Sequence, residues 1–162
     1  MDQENSRYAV KAMLAEYKNV VIAFQKVIAN ISFESLSTVV DTGTTGAKQQ
    51  SIQNILTDVI SSGYSYAGYI RKLKKITDHR PGKMTKMSAI EYHNDLTDLI
   101  AYTDQTFQSI QDDELEEFDE KKKIRTPWGV VYDIEQMMEH AVLDVVRHRR
   151  QIERFRIKLE SA

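Results

Sequence analysis

Apolar residues recur three and four positions apart over four long stretches of this chain, and that spacing sets each group on one stripe of an α-helix. In the first, about residues 6–31, the stripe is Val10, Met13, Leu14, Tyr17, Val20, Val21, Phe24, Val27, Ile28 and Ile31. The second, about 51–76, carries Ile52, Ile55, Leu56, Val59, Ile60, Ala67, Ile70 and Leu73. The third covers about 88–110, with Ser88 and Glu91 spaced as a capping box. Its core face is Ala89, Tyr92, Leu96, Leu99, Ile100 and Phe107; Thr103 interrupts it, its hydroxyl expected to bond back to the preceding turn. The fourth is expected to start at Thr126-Pro127, cap then first turn, and to run to about residue 159. Val131, Ile134, Met137, Met138, Ala141, Val142, Val145, Ile152 and Phe155 supply its core.

Breakers punctuate these stretches. Residues 32–48 lack the periodicity, and Asp41-Thr42-Gly43-Thr44-Thr45-Gly46 has loop composition. Asp78-His79-Arg80-Pro81-Gly82 carries turn chemistry. Residues 112–123 are a charge run, acidic then basic, expected to be a solvated loop or a frayed helix end. Gly63 and Gly68 lie inside the second stretch at about 1 kcal/mol each relative to alanine, so a neighbouring helix or a ligand is expected to approach closely there. Four such stripes hide best against one another. The expected fold is therefore all-α: one domain over residues 1–162, an antiparallel four-helix bundle in up-down-up-down order, which the long first connection does not force.

Composition narrows the function classes. Charged residues are 28% and hydrophobic residues 41% of 162, a globular balance with a formal net charge of -2, so nucleic acid is not an expected partner. Charges interrupt every apolar stretch, and no membrane span is expected. The opening Met1-Asp2-Gln3-Glu4-Asn5 is polar and acidic, unlike a signal peptide, and the chain has no cysteine; both fit a cytoplasmic location. Nucleophile elbow, P-loop and dinucleotide fingerprints are missing from the sequence.

His140, Asp144 and His148 stand at i, i+4 and i+8 on the fourth helix, a spacing at which neighbouring side chains can reach one metal ion. The plain alternative is a polar flank of an amphipathic helix. Around this triplet, Arg147-His148-Arg149-Arg150-Gln151-Ile152 resembles the His-His-Arg-Gly-Gln-Ile signature in the last helix of the DinB/YfiT-like superfamily. Ser51-Ile52-Gln53-Asn54-Ile55-Leu56-Thr57-Asp58 is similar to that family's second-helix pattern, Ser-Ile-x-x-Leu-Leu-x-His. Thr126-Pro127-Trp128-Gly129 falls where members carry a short Thr/Pro/Gly lead into the last helix. The resemblance implies a four-helix bundle with a three-histidine metal site, frequent homodimers, and metal-assisted thiol transfer or related hydrolysis among the members of known activity.

Position by position, this chain departs from that pattern. The helix-two ligand position falls on Asp58, the first of the helix-four pair on Asp144, and only His148 keeps the family's residue type; the signature glycine is Arg150. The implied ligand set is Asp58, Asp144 and His148, with His140 auxiliary, around one divalent ion (Mn, Fe, Ni, Zn or Mg). Two carboxylates and one imidazole favour the harder ions. Also open are a metal-free protein in which the carboxylates meet nearby cations, serving as a small-molecule-binding or association module, and, third, acid/base chemistry without metal. The tyrosines Tyr64, Tyr66, Tyr69, Tyr92 and Tyr102 fit core or interface places better than a ligand cage.

Overall fold

The computed structural model describes residues 7–40 and 50–161; the expected loop at residues 41–46 and the opening residues 1–5 lie outside them. Five helices carry most of the described chain: α1 (Tyr8–Ile28), α2 (Phe33–Ser37), α3 (Ile52–Lys74), α4 (Ala89–Thr106) and α5 (Ile134–Glu160). A two-residue antiparallel hairpin, β1 (Ile124–Arg125) with β2 (Val131–Tyr132), precedes α5. The long elements are thus all helical, and none of the described helices is long and apolar enough to cross a membrane.

The stripes bury as their spacing requires. Val10, Tyr17, Val21, Phe24 and Ile28 of α1 share one core with Ile52, Ile55, Leu56 and Ile70 of α3, Tyr92, Leu96 and Leu99 of α4, and Met137, Met138, Ile152 and Phe155 of α5. Ser51 caps α3 by accepting from the Asn54 N–H, and Ser88 caps α4 by accepting from Glu91. Gly63 answers its expectation: a Cβ there would stand 2.6 Å from Leu99 Cδ2 and 3.2 Å from the Tyr17 hydroxyl, so two helices close on α3 only because the side chain is missing.

Other expectations are corrected. Helix α5 begins at Ile134, not at Thr126, because Asp133 and Gln136 form a capping box that claims the helix start. Thr126 instead closes the hairpin: its hydroxyl donates to the Val130 carbonyl and accepts from the Val130 N–H, around Gly129 at φ +88°. The first connection holds a short helix, α2, capped by Ser32 and anchored by the fully buried Leu36; five residues are too few to show a period. The charge run is not merely solvated. Asp112 accepts from the N–H groups of Ala9 and Val10 at the start of α1, and Leu115 is buried. Thr103 makes no hydrogen bond to its preceding turn; its hydroxyl faces that of Tyr17.

Helix directions also differ from simple alternation. Thr57 meets Tyr92, Gly63 meets Leu99 and Arg71 meets Thr106, so α3 and α4 run the same way. Gln25 meets Thr97 while Arg7 meets Phe107, which sets α1 antiparallel to α4. Tyr66 reaches His140 and Tyr69 reaches Trp128, which sets α3 antiparallel to α5.

Arg71 pins the parallel pair. It is 3% exposed; Nε donates to Thr106 Oγ1 at 2.8 Å, Nη2 to the Tyr102 carbonyl at 3.1 Å and Nη1 to the Thr77 carbonyl at 2.7 Å, with the guanidinium 3.7 Å from the Tyr102 ring centroid. Such a fork of charge-assisted bonds has no substitute among other side chains. Replacing it with methionine takes the donor from the Thr77 carbonyl and leaves the Thr106 hydroxyl and Tyr102 carbonyl only the bond between them. Arg71→Met is expected to destabilise the protein by about 3 kcal/mol in urea denaturation, with Arg71→Lys recovering little of it; a loss below about 1 kcal/mol would show that the fork is dispensable.

Candidate functional site

The i, i+4 spacing within α5 brings part of the expected site together. His148 Nδ1 lies 2.6 Å from the Asp144 carbonyl oxygen and 3.3 Å from its Oδ1. A carbonyl only accepts, so Nδ1 carries the proton and donates. From α3, the Tyr66 hydroxyl faces the Asp144 carboxylate and Ser62. Burial, then the charge of Asp144, push the Tyr66 phenol far above its ordinary range. Tyr17 behind it is pushed up as well, by burial first, with the facing Thr103 hydroxyl opposing and the charge of Asp144 adding to the rise.

The other two expected residues have other partners. Asp58, on α3, has its carboxylate in an ion pair with Lys83 from the connection that leads to α4. His140 sits one turn before Asp144, inside a ring cluster. Its ring stacks on Trp128 with centroids 5.1 Å apart, meets Tyr66 edge-on at 5.2 Å, and has Nδ1 3.5 Å from the Tyr132 hydroxyl. Among the described residues no three His, Cys, Asp or Glu side chains converge as a metal-holding group. An ammonium neutralises Asp58, and His148 bonds to Asp144 within one turn of α5. A divalent ion at Asp58 would have to compete with the Lys83 ammonium.

Two concavities flank α3. One, of about 480 Å³, opens between α3 and α4 and is lined by Tyr64, Lys83, Lys86, Asp95 and Asp98. Burial raises the Asp95 carboxyl; Lys86 Nζ at 3.7 Å opposes this, and Asp98 adds to it. The other is a cleft of about 910 Å³ between the C-terminal half of α3 and β1. Tyr69, Leu73, Ile76, Ile124 and Pro127 give it apolar walls, and Lys72, Arg80, Lys121, Lys123 and Arg125 surround them with a single carboxylate, Asp78.

That carboxylate is already committed. Tyr102 donates its hydroxyl to Asp78 Oδ1 at 2.6 Å, the Arg80 N–H donates to the same oxygen, and the Arg80 guanidinium lies 3.6 Å from Oδ2. Desolvation works to raise the Asp78 carboxyl, but these bonds and the charges of Arg80 and Arg71 outweigh it and hold the group below the usual carboxylate range.

Sequence reasoning missed this cleft because its cations come from segments about fifty residues apart. The one available signal was Lys121-Lys122-Lys123-Ile124-Arg125, a basic run closing on an apolar residue. Scans against family models, curated proteins and solved structures each return no match to this chain.

A carboxylate whose folded pKa is depressed adds stability above its unfolded value, near 3.9, and loses it as pH falls through the folded value. Tyr102→Phe removes the strongest bond holding Asp78 down. It is expected to cost about 1 kcal/mol at pH 7, a low figure because Asp78 faces solvent. The gap from wild type is expected to close as pH falls below the ordinary carboxylate range in acid denaturation, and a gap constant with pH would contradict the assignment.

Proposed function

We propose that this chain is a DinB-like four-helix bundle acting as a metal-independent small-molecule-binding module, with the cleft between α3 and β1 as its binding site. The cleft itself carries the reading: about 910 Å³ of concave surface with apolar walls and converging polar groups, the form that ligand sites take. Its frame is rigid, since one wall is a helix pinned by Arg71 and the other a hairpin tied by Thr126. The resemblance supports the bundle, because the two segments that carry it, helices two and four, are α3 and α5, which pack on each other.

The metalloenzyme reading places its ion at Asp58, Asp144 and His148, where Lys83 would have to leave Asp58 before a dication could enter. Under the metal-free reading, Asp144 and His148 are a polar pair on α5 that faces Tyr66 of α3. Elemental analysis of protein purified without chelator or nickel resin is expected to find no stoichiometric transition metal. Binding of the neutral fluorophore N-phenyl-1-naphthylamine is expected to be unchanged by EDTA and by His148→Ala. A stoichiometric ion that disappears in Asp144→Ala would overturn the proposal in favour of the metalloenzyme.

A further inference from the structure

We infer that the cleft selects a small amphipathic anion: a phosphate, sulfonate or carboxylate head on an apolar body. This rests on the reading of the cleft as the binding site and adds the class of ligand. Its basis is the local charge imbalance. In a chain of net charge -2, five cations and one carboxylate surround one cavity. Arg80 and Asp78 satisfy each other. Lys72, Lys121, Lys123 and Arg125 then remain, and among the described residues none of the four forms an ion pair.

Like charges held around a partly desolvated floor repel one another, and a bound anion relieves the repulsion at each of them. The cations are positioned rather than trailing. Arg125 belongs to β1, where the alternation of the strand buries Ile124 and exposes Arg125, and Lys121 lies in a 3-10 turn (Glu120–Lys122) that Asp119 caps. Lys123 is only half-exposed. Gly68 lets the Asp78–Arg80 segment lie directly on α3, since a Cβ there would stand 2.7 Å from Asp78 Oδ2 and 3.0 Å from Arg80 Nη1. The apolar walls call for an equally apolar body on the ligand, and a single open cleft favours a small molecule over the long basic stripe that tracks a nucleic-acid backbone.

The chain's single tryptophan reports on the site, because Trp128 meets Tyr69 of the cleft wall edge-on at 6.1 Å. The test titrates the full chain with 8-anilinonaphthalene-1-sulfonate and with neutral N-phenyl-1-naphthylamine, following energy transfer from Trp128. The sulfonate is expected to bind one per chain and to lose about tenfold or more in affinity in Lys123→Glu/Arg125→Glu, with the neutral dye unaffected. Decyl phosphate is expected to displace the sulfonate at far lower concentration than inorganic phosphate; equal potency of the two would reduce the ligand to a bare oxyanion and overturn the amphipathic part.

Should the double variant lose its far-UV circular dichroism, Lys123→Gln and Arg125→Gln, made singly, carry the same comparison. Two dyes bound equally well and indifferent to the charge changes would refute the anion and keep the cleft. No binding of either dye would remove the cleft reading too. Displacement by single-stranded RNA at lower concentration than by decyl phosphate would replace the small molecule with a nucleic acid.

Discussion

A guanidinium buried between two parallel helices is the interaction on which the rest of this structure depends. Arg71 directs its donors to Thr106, Tyr102 and Thr77, neutral oxygens that together stand in for hydration. It thereby fixes α3 and α4 at the same end and ties the outgoing chain at Thr77 to both. Parallel neighbours need a return connection along their full length. The 23 residues of α3 rise about 34 Å, and the segment 75–88 that must cover this reaches about 46 Å fully extended. Little slack is left, so the segment lies along the bundle as a strap.

That strap generates the features on which function turns. It brings Lys83 to Asp58 on α3, Lys86 to Asp95 on α4, and Asp78 with Arg80 onto Gly68. The smaller concavity lies beneath it, and Arg80 borders both concavities. Lys83 thus faces a carboxylate where the family resemblance implies a metal ligand. Further along the same face of α3, Tyr69, Lys72 and Leu73 border the cleft, where cations are in excess.

Much of the helical core was legible because burial follows the 3.6-residue period: Tyr92, Leu96 and Leu99, or Met137, Met138 and Ala141, are where spacing alone locates them. The start of α5 was not, since Thr126-Pro127 and Asp133 both satisfy the rules for a cap and only the hairpin pairing of Ile124 with Tyr132 decides between them. Helix direction was hidden as well. A stripe says which face is buried and nothing about the way its neighbour runs, while Arg71 looks in sequence like one more cation in a basic last turn. Of the candidate site, the Asp144–His148 contact follows from i, i+4 spacing on one helix. The Asp58–Lys83 pair and the cleft depend on segments that meet only once the strap is laid, and no local pattern encodes such meetings.

The direction of α4 relative to α3 decides the account, and a chain without cysteine allows it to be measured cleanly. Spin labels at Gln53→Cys and Ile90→Cys report the N-terminal ends of the two helices, and electron–electron double resonance gives their separation. A parallel pair predicts a short distance, on the order of 10–20 Å, with a label pair at Gln53→Cys and Gln105→Cys set apart by about 25 Å or more. The reverse order of those two distances would mean that α4 runs against α3, and with it the strap, the Arg71 fork and the cleft would be lost.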